Sequence, residues 1–254
     1  MLELDLNGKT ALVTGASGEL GRVIARTLAE CGADVAVHYN GSRERAEQTA
    51  ETVRALGRRA IIVQADVTNL ESVQTMQQTI RAELGATDLI VANAVIQYRW
   101  TSILEQDLAD FQSQFDSCAM QTVHLAKAFL PDMIAQHYGR FVAINTECAA
   151  MAEAGVGAYT AGKRALDGIV RVLAKEVGCH GITVNQVAPG WTISERDRAN
   201  HTEEAPDYDK TVPLGHRGTD QDIANMTAFL LSDLAKFTTG AYIPVSGGRV
   251  MPAI

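Results

Sequence analysis

Short apolar runs alternate with longer stretches of helical periodicity along the whole chain. Several runs, such as ALVT and IIV, are almost continuously apolar, as expected for strands that are covered on both faces. The pattern predicts strands at Thr10–Thr14, Asp34–Tyr39, Ala60–Ala65, Asp88–Ala92, Arg140–Asn145, Ile182–Val187 and Ala241–Val245. It predicts helices at Leu20–Cys31, Arg43–Leu56, Leu70–Leu84, Leu104–Gln136, Gly157–Val177 and Thr219–Leu231.

This alternation predicts an α/β protein with a Rossmann-type, doubly wound parallel sheet of about seven strands and helices on both faces. No linker or shift of composition marks a second domain, so residues 1–254 are expected to form one nucleotide-binding domain. The polar segment 190–218 interrupts the pattern and carries Pro206 and Pro213. Loops of this length are usually functional, and residues 190–214 are expected to form a lid over a substrate pocket.

The composition argues against several classes of binding partner, namely membranes, nucleic acids and metal ions. No apolar stretch approaches the roughly 20 residues of a membrane span, and the N-terminus lacks the basic and apolar regions of a secretion signal. The net charge of −8, without a block of Lys or Arg, argues against a nucleic-acid partner. The four cysteines are widely separated and show no metal-ligand spacing, so we expect reduced thiols, no metal and a cytoplasmic location.

The first predicted strand runs into a glycine-rich turn, TGASGELG, that precedes a predicted helix. In a doubly wound sheet this turn holds a dinucleotide pyrophosphate, because glycines admit the phosphates and the helix N-terminus offers free amides. The alternative is an ordinary tight turn with a helix cap. The expected cofactor contacts in this loop are Gly15, Ser17, Gly18, Glu19, Leu20 and Gly21.

The end of the second strand bears on the choice of cofactor. NAD-preferring sites usually carry an acidic residue there to hold the ribose hydroxyl, and the sequence HYNGSR has none. We therefore expect NADP(H) to be preferred and NAD(H) to be possible, with Tyr39, Asn40, Ser42 and Arg43 near the 2′-phosphate. The alternative is that Arg43 simply begins a solvated helix.

Tyr159 and Lys163 are four residues apart in a predicted helix, so they share one helix face. A free phenol has a pKa of about 10, and a nearby ammonium would lower it. Tyr159 could then give a proton to an alkoxide, or take one in the reverse direction. An isolated YxxxK match would more simply be a surface pair.

The match is not isolated, because motifs spaced along the whole chain resemble the short-chain dehydrogenase/reductase family. They include GKTALVTG at the N-terminus, ADVT at 65–68, Tyr159 with Lys163, VNQVAPG at 184–190 and VSGG at 245–248. The resemblance is greatest to 3-oxoacyl thioester reductases, and it implies Tyr/Lys chemistry and a homotetramer or homodimer. It also implies cofactor contacts at Asp66, Val67, Asn93, Ala94, Tyr159, Lys163, Pro189, Gly190, Thr192 and Ser194.

Several positions depart from the family pattern. Thr146 stands where the family has its catalytic serine; its hydroxyl could stabilise an oxyanion, or it could be a strand-end threonine that caps the next turn. Cys118 replaces a family asparagine and is expected to be buried and inert. Ala92 and Val95 replace a polar and a flexible residue, and Glu19, which replaces a glycine, is expected to point away from the phosphates.

The sequence therefore predicts an oxidoreductase that reduces a ketone to a secondary alcohol with NADP(H), or catalyses the reverse, through Tyr159, Lys163 and Thr146. A 3-oxoacyl thioester is the leading candidate by resemblance. An acyl-carrier-protein partner stays open, because such carriers are acidic and so is this chain. The alternative, motivated by the departures, is a cofactor-binding relative with little catalysis and a regulatory or scaffolding role.

Overall fold

A computed structural model describes residues 4–252, so residues 1–3 and 253–254 of the predicted domain lie outside the described part. Seven parallel strands form one sheet in the order β3-β2-β1-β4-β5-β6-β7. The strands are β1 Thr10–Val13, β2 Asp34–Tyr39, β3 Ala60–Gln64, β4 Leu89–Ala92, β5 Gly139–Ile144, β6 Ile182–Pro189 and β7 Tyr242–Val245. The predicted Rossmann-type sheet is confirmed.

The helices follow the predicted pattern except in the centre, directly after β5 and within residues 190–214, where the structure has helices that were not expected. They are α1 Glu19–Glu30, α2 Arg43–Ala55, α3 Leu70–Glu83, α4 Leu108–Gln114, α5 Gln121–Ala135, α6 Glu147–Met151, α7 Gly157–Val177, α8 Glu195–Asn200, α9 Pro206–Asp209 and α10 Asp220–Leu231. None of the helices within residues 4–252 is long and apolar enough to cross a membrane.

The single helix expected at Leu104–Gln136 is wrong in two respects. It begins only at Leu108, because the Asp107 side chain accepts a hydrogen bond from Ala109 N (2.9 Å) and caps α4 there. The six residues Phe115–Met120 form a π-helical turn between α4 and α5. A π turn inserts extra chain without changing the apolar content of the segment, so periodicity does not reveal it.

Two apolar layers cover the two faces of the sheet. Successive residues of β1 alternate between them: Ala11 and Val13 pack in the layer with α1, α2 and α10, and Leu12 packs in the layer with α3, α5 and α7. The period of two along the strand sets this division. It explains why the strands are apolar throughout, and it confirms helices on both faces.

The strand order reverses at β1, which lies between β2 and β4. Ligands of doubly wound sheets bind in the crevice that opens at such a point, beyond the carboxyl ends of the strands. The fold therefore brings together the segments that follow β1, β2, β4, β5 and β6, although they are far apart in sequence.

Candidate active site

A cleft of about 710 Å³ lies at the carboxyl ends of the strands, where the strand order reverses. Two other cavities are smaller, at about 360 and 150 Å³. Most of the residues expected from the sequence line the large cleft: Gly15, Ser17, Gly18, Glu19, Leu20, Gly21, Asn40, Asp66, Val67, Asn93, Ala94, Thr146, Tyr159, Lys163, Pro189, Gly190, Thr192 and Ser194.

Three expected contacts, Tyr39, Ser42 and Arg43, are not among the residues that line the cleft. Tyr39 is buried in the apolar layer, since residues of a strand alternate in direction. Arg43 begins α2, and Arg45, two residues further around the helix, lines the cleft in its place. Sequence position alone did not distinguish these two arginines.

The phosphate loop requires glycine where the chain packs most tightly. A Cβ atom on Gly21 would lie 2.3 Å from the carbonyl oxygen of Gly15, and Gly15 itself has a positive φ of 65°. The Thr14 hydroxyl fixes the base of the loop, since it accepts hydrogen bonds from Asn93 N (2.9 Å) and Ala94 N (3.0 Å). The loop and the end of β4 are therefore one unit.

His38 supports the same loop from β2, and the sequence reasoning missed it. Its Nδ1 accepts a hydrogen bond from Gly15 N (2.9 Å), so its Nε2–H donates to the Ala65 carbonyl (3.0 Å). Burial lowers the pKa of His38 to about 4, which keeps the ring neutral at physiological pH. A single histidine near the end of the mostly apolar strand β2 gave no indication of this role in the sequence.

Glu19 lines the cleft, where its carboxylate contacts the segment 190–214 and two nearby arginines. Its Oε2 accepts a hydrogen bond from Arg196 N (3.2 Å), and its Oε1 lies 3.6 Å from Arg22 and 3.9 Å from Arg45. Arg22 also forms an ion pair with Glu195 of α8 at 2.6 Å. The carboxylate is therefore balanced by neighbouring cations although it occupies the position of a family glycine.

Tyr159 lies in the first turn of α7, and Lys163 follows one turn later on the same face. Lys163 is buried; its Nζ donates to the Ile144 carbonyl (2.6 Å) and lies 5.6 Å from the centre of the Tyr159 ring. Burial raises the pKa of Tyr159, and the Thr146 hydroxyl opposes that rise. The expected lowering of the phenol pKa by Lys163 is therefore not what this arrangement produces.

Thr146 has the capping role considered for it, and its oxyanion role stays a prediction that its position in the cleft allows. Its hydroxyl accepts a hydrogen bond from Cys148 N (3.3 Å) and so caps α6, while the residue also lines the cleft beside Tyr159. The Asn145 side chain fixes the turn, because its Oδ1 accepts from Thr146 N (2.8 Å). Asn145 lines the cleft as well and was not expected from the sequence.

The π-helical turn lies against α7 at the level of this pair. A Cβ atom on Gly162 would lie 2.6 Å from the Gln114 carbonyl, so α7 approaches the turn as closely as a glycine allows. Cys118 is buried in the turn and its thiol donates to Gln114 Oε1 (3.8 Å). The turn thus places a thiol, and not an amide, next to the Tyr159–Lys163 helix.

A second cavity of about 360 Å³, termed the substrate cavity, adjoins the cleft and shares Thr146, Tyr159, Gly190 and Thr192 with it. Its aromatic walls pack in pairs. Trp100 stacks on Tyr159 with 6.2 Å between ring centres, and Trp191 meets Tyr208 edge to face at 5.4 Å.

Residues 190–214, the segment expected to form a lid and called the lid for that reason, line part of both cavities and contain α8 and α9. Arg217 is buried beneath the lid and donates to the carbonyls of Trp191 (3.1 Å) and Thr192 (2.9 Å) and to Asp197 (3.3 Å). Its guanidinium also covers the Trp191 ring at 4.3 Å. One arginine therefore holds several turns of irregular chain in place.

Within residues 4–252 there is no group of three or more His, Cys, Asp or Glu side chains that could hold a metal ion. The site is instead a phosphate-binding turn, a long cleft, and a junction with a smaller cavity where Thr146 and Tyr159 meet. A dinucleotide cofactor on one side and a small carbonyl or alcohol on the other fit such an arrangement.

Comparison with known proteins agrees with that class. Residues 15–249 match the family model described as enoyl-(acyl carrier protein) reductase. The 3-oxoacyl-(acyl-carrier-protein) reductase of Staphylococcus aureus is 36% identical over 243 residues, which cover 96% of this chain and 98% of that protein. Its Escherichia coli counterpart is 34% identical over 258 residues, 98% of this chain and 100% of that protein.

Solved structures agree as well. The reductase LugOII, described as promiscuous and as catalysing keto-reduction during lugdunomycin biosynthesis, is 29% identical with a TM-score of 0.89. The match covers 97% of this chain and 99% of that one. The fold and site define a nicotinamide-dependent oxidoreductase acting on CH–OH or C=O groups. The chain belongs to the short-chain dehydrogenase/reductase family.

Proposed function

We propose that this protein reduces a ketone to a secondary alcohol with NADP(H), or catalyses the reverse, with Tyr159 as the acid or base. The observation that carries the proposal is the junction of the two cavities. The Tyr159 and Thr146 side chains line both the cleft and the substrate cavity, so both can reach one carbonyl oxygen between them.

The residues of the cleft fit a nicotinamide dinucleotide. The close packing at Gly15 and Gly21 leaves the backbone bare for a pyrophosphate at the N-terminus of α1, and Asp66 and Val67 would border the adenine. When bound, the cofactor supplies or accepts the hydride. The contributions of this chain are to orient the carbonyl and to handle the proton.

In the reductive direction, the Thr146 hydroxyl would donate a hydrogen bond to the carbonyl oxygen, and Tyr159 would give that oxygen a proton. Burial raises the pKa of Tyr159, so the phenol holds its proton at neutral pH and would give it only to a stronger base, such as the alkoxide that forms when the carbonyl is reduced. Lys163 is buried four residues on, where it would hold the cofactor ribose and help restore the proton.

The preference for NADP(H) is part of the proposal. Asn40, Gly41 and Arg45 line the cleft beyond β2, and no acidic residue stands at that strand end. Arg45 offers a cation to a 2′-phosphate, whereas an acidic residue would favour the free hydroxyl of NAD(H). The curated relatives' names support a 3-oxoacyl thioester as substrate, and an acyl-carrier protein as the carrier it would arrive on.

A homotetramer, or a homodimer, is proposed as the assembly. Support comes from the resemblance and from apolar side chains exposed on α4 and α7, among them Leu108 and Val172, which are 83% and 56% exposed.

Tyr159→Phe tests the catalytic role. Removing the phenolic hydroxyl should lower kcat by about a hundredfold or more with NADPH and a panel of ketones, because general acid catalysis is typically worth that much. The dissociation constant for NADPH should stay within about twofold, measured by cofactor fluorescence.

Tyr138→Phe is the matched control, since Tyr138 packs against Lys9 on another part of the molecule. It should keep wild-type turnover. Full activity in Tyr159→Phe would refute the role of Tyr159. Binding of NADPH by the wild type without turnover of any ketone or alcohol would instead support the alternative of a cofactor-binding regulator or scaffold.

A further inference from the structure

Glu147 lines the substrate cavity, and one oxygen of its buried carboxylate has no hydrogen-bond partner. Glu147 is 4% exposed, and its Oε1 accepts hydrogen bonds from the Tyr208 hydroxyl (2.9 Å) and from Arg249 (2.7 Å). Within the described part of the chain, Oε2 is buried and accepts nothing. Buried carboxylate oxygens are almost always hydrogen-bonded, so we expect a bound molecule to supply a donor to this atom.

The position of Oε2 connects it with the reaction site. Glu147 directly follows Thr146 and lines the substrate cavity. A Cβ atom on Gly190 would lie 3.2 Å from Oε2, and Gly190 lines both the cleft and the cavity. The free oxygen therefore lies near the junction where Tyr159 and Thr146 would hold the carbonyl.

The neighbours of Glu147 fix which oxygen is free. Arg249 also forms an ion pair with Glu153 and covers the Tyr208 ring at 4.6 Å, so its guanidinium is already engaged on several sides. Tyr208 accepts a hydrogen bond from Trp191 N (2.8 Å) while it donates to Oε1. These contacts hold Oε1 in place and leave Oε2, an acceptor and not a cation, without a partner.

We propose that Glu147 Oε2 accepts a hydrogen bond from a hydroxyl or protonated amine that the substrate carries close to its reacting carbon. The substrates favoured would be vicinal diols, amino alcohols and the corresponding hydroxy or amino ketones, with their carbon framework against the aromatic walls. This inference rests on the proposed function, because it names the substrate class of the same site.

The test compares three alcohols of equal ring size in the oxidative direction with NADP: cyclohexanol, vicinal trans-cyclohexanediol and vicinal trans-aminocyclohexanol. Hydrogen bonds to charged groups are worth enough for about a tenfold or greater gain in kcat/KM. We expect the diol, the amino alcohol, or both to exceed cyclohexanol by that factor. Comparison of the diol with the amino alcohol shows whether the favoured donor is a hydroxyl or an amine.

Glu147→Gln is the decisive variant. The amide oxygen can keep the contacts with Tyr208 and Arg249, so the amide nitrogen replaces Oε2 and turns an acceptor into a donor. The preference for donor-bearing alcohols should then fall about tenfold. Glu153→Gln removes the other, more exposed carboxylate partner of Arg249 and should keep the preference. An unchanged preference in Glu147→Gln would overturn the proposal.

Binding separates this inference from the proposed function. The same alcohols are titrated against the complexes of wild type and Glu147→Gln with NADP, with cofactor absorbance or fluorescence as the signal. Tighter binding of the diol or amino alcohol that is lost in the variant supports the inference even without turnover. Equal binding of all three alcohols by the wild type overturns it even if ketone reduction by Tyr159 is established.

Discussion

The proposed preference for NADP(H) depends on single side chains at the start of α2. Arg43 and Arg45 are two residues apart, but only Arg45 lines the cleft. Arg45 also lies 3.9 Å from Glu19, whose carboxylate would otherwise repel a cofactor phosphate. Because Arg45 is half exposed, its attraction for a cofactor phosphate would be partly screened by solvent.

Arg45→Gln should therefore weaken NADPH binding about five- to tenfold and change NADH binding by less than about twofold, since only NADPH has the additional phosphate. Arg43→Gln is the matched control and should weaken neither cofactor. Dissociation constants at two salt concentrations would measure this. An equal loss of affinity for NADPH and NADH in Arg45→Gln would show that Arg45 does not bind the 2′-phosphate.

Among the structural elements, the lid depends most on one contact. Its helices α8 and α9 contain only six and four residues, too short to be stable alone, and the chain around them is irregular. Arg217 anchors the first part of this segment through the carbonyls of Trp191 and Thr192 and through Asp197 of α8. The forked guanidinium makes these bonds at once, which an ammonium cannot do.

Arg217→Lys should loosen the lid while retaining the charge. We expect KM to rise about tenfold with a smaller change in kcat, and limited proteolysis to cut faster within 190–214, because backbone carbonyls lose their donors. Arg171→Lys, in an exposed ion pair with Asp167 on α7, should change neither measurement. Unaltered KM and proteolysis in Arg217→Lys would contradict this role.

At the scale of the whole molecule, one buried histidine is bonded to both the sheet and the cleft, and its protonation state depends on pH. His38 lies in β2 and joins the phosphate loop to the residue after β3, so its protonation would affect both the fold and the cleft. Burial lowers the pKa of His38 from 6.5 to about 4, although Asp66 nearby opposes this. The unfolded chain therefore binds this proton more readily than the folded protein.

The free energy of unfolding should consequently decrease as the pH falls from about 6.5 to about 4, with His38 contributing up to about 3 kcal/mol of that loss. Above pH 6.5 the contribution is fully present. Denaturant titrations across this range should give a flatter profile for His38→Gln than for the wild type. His216→Gln, on an exposed histidine, should leave the profile as it is; identical profiles for all three proteins would exclude His38 as the cause.

Much of the architecture follows from local pattern. Short, almost continuously apolar runs and stretches with a helical period were enough to predict the seven strands and most helices, because strands buried on both faces of a sheet are apolar at nearly every position. The π-helical turn at Phe115–Met120 has no recognisable pattern of apolar residues. It depends on the close approach of α7 at Gly162, which is a long-range contact.

By itself, the sequence determined the sheet, the glycine turn and the shared helix face of Tyr159 and Lys163, because each depends on residues that are close along the chain. Only the tertiary structure decided that Arg45 and not Arg43 borders the cleft, that burial raises the pKa of Tyr159, and that Glu147 has a free oxygen. These properties come from packing between distant segments, where burial and partner geometry, not spacing, set the charge and the hydrogen bonds.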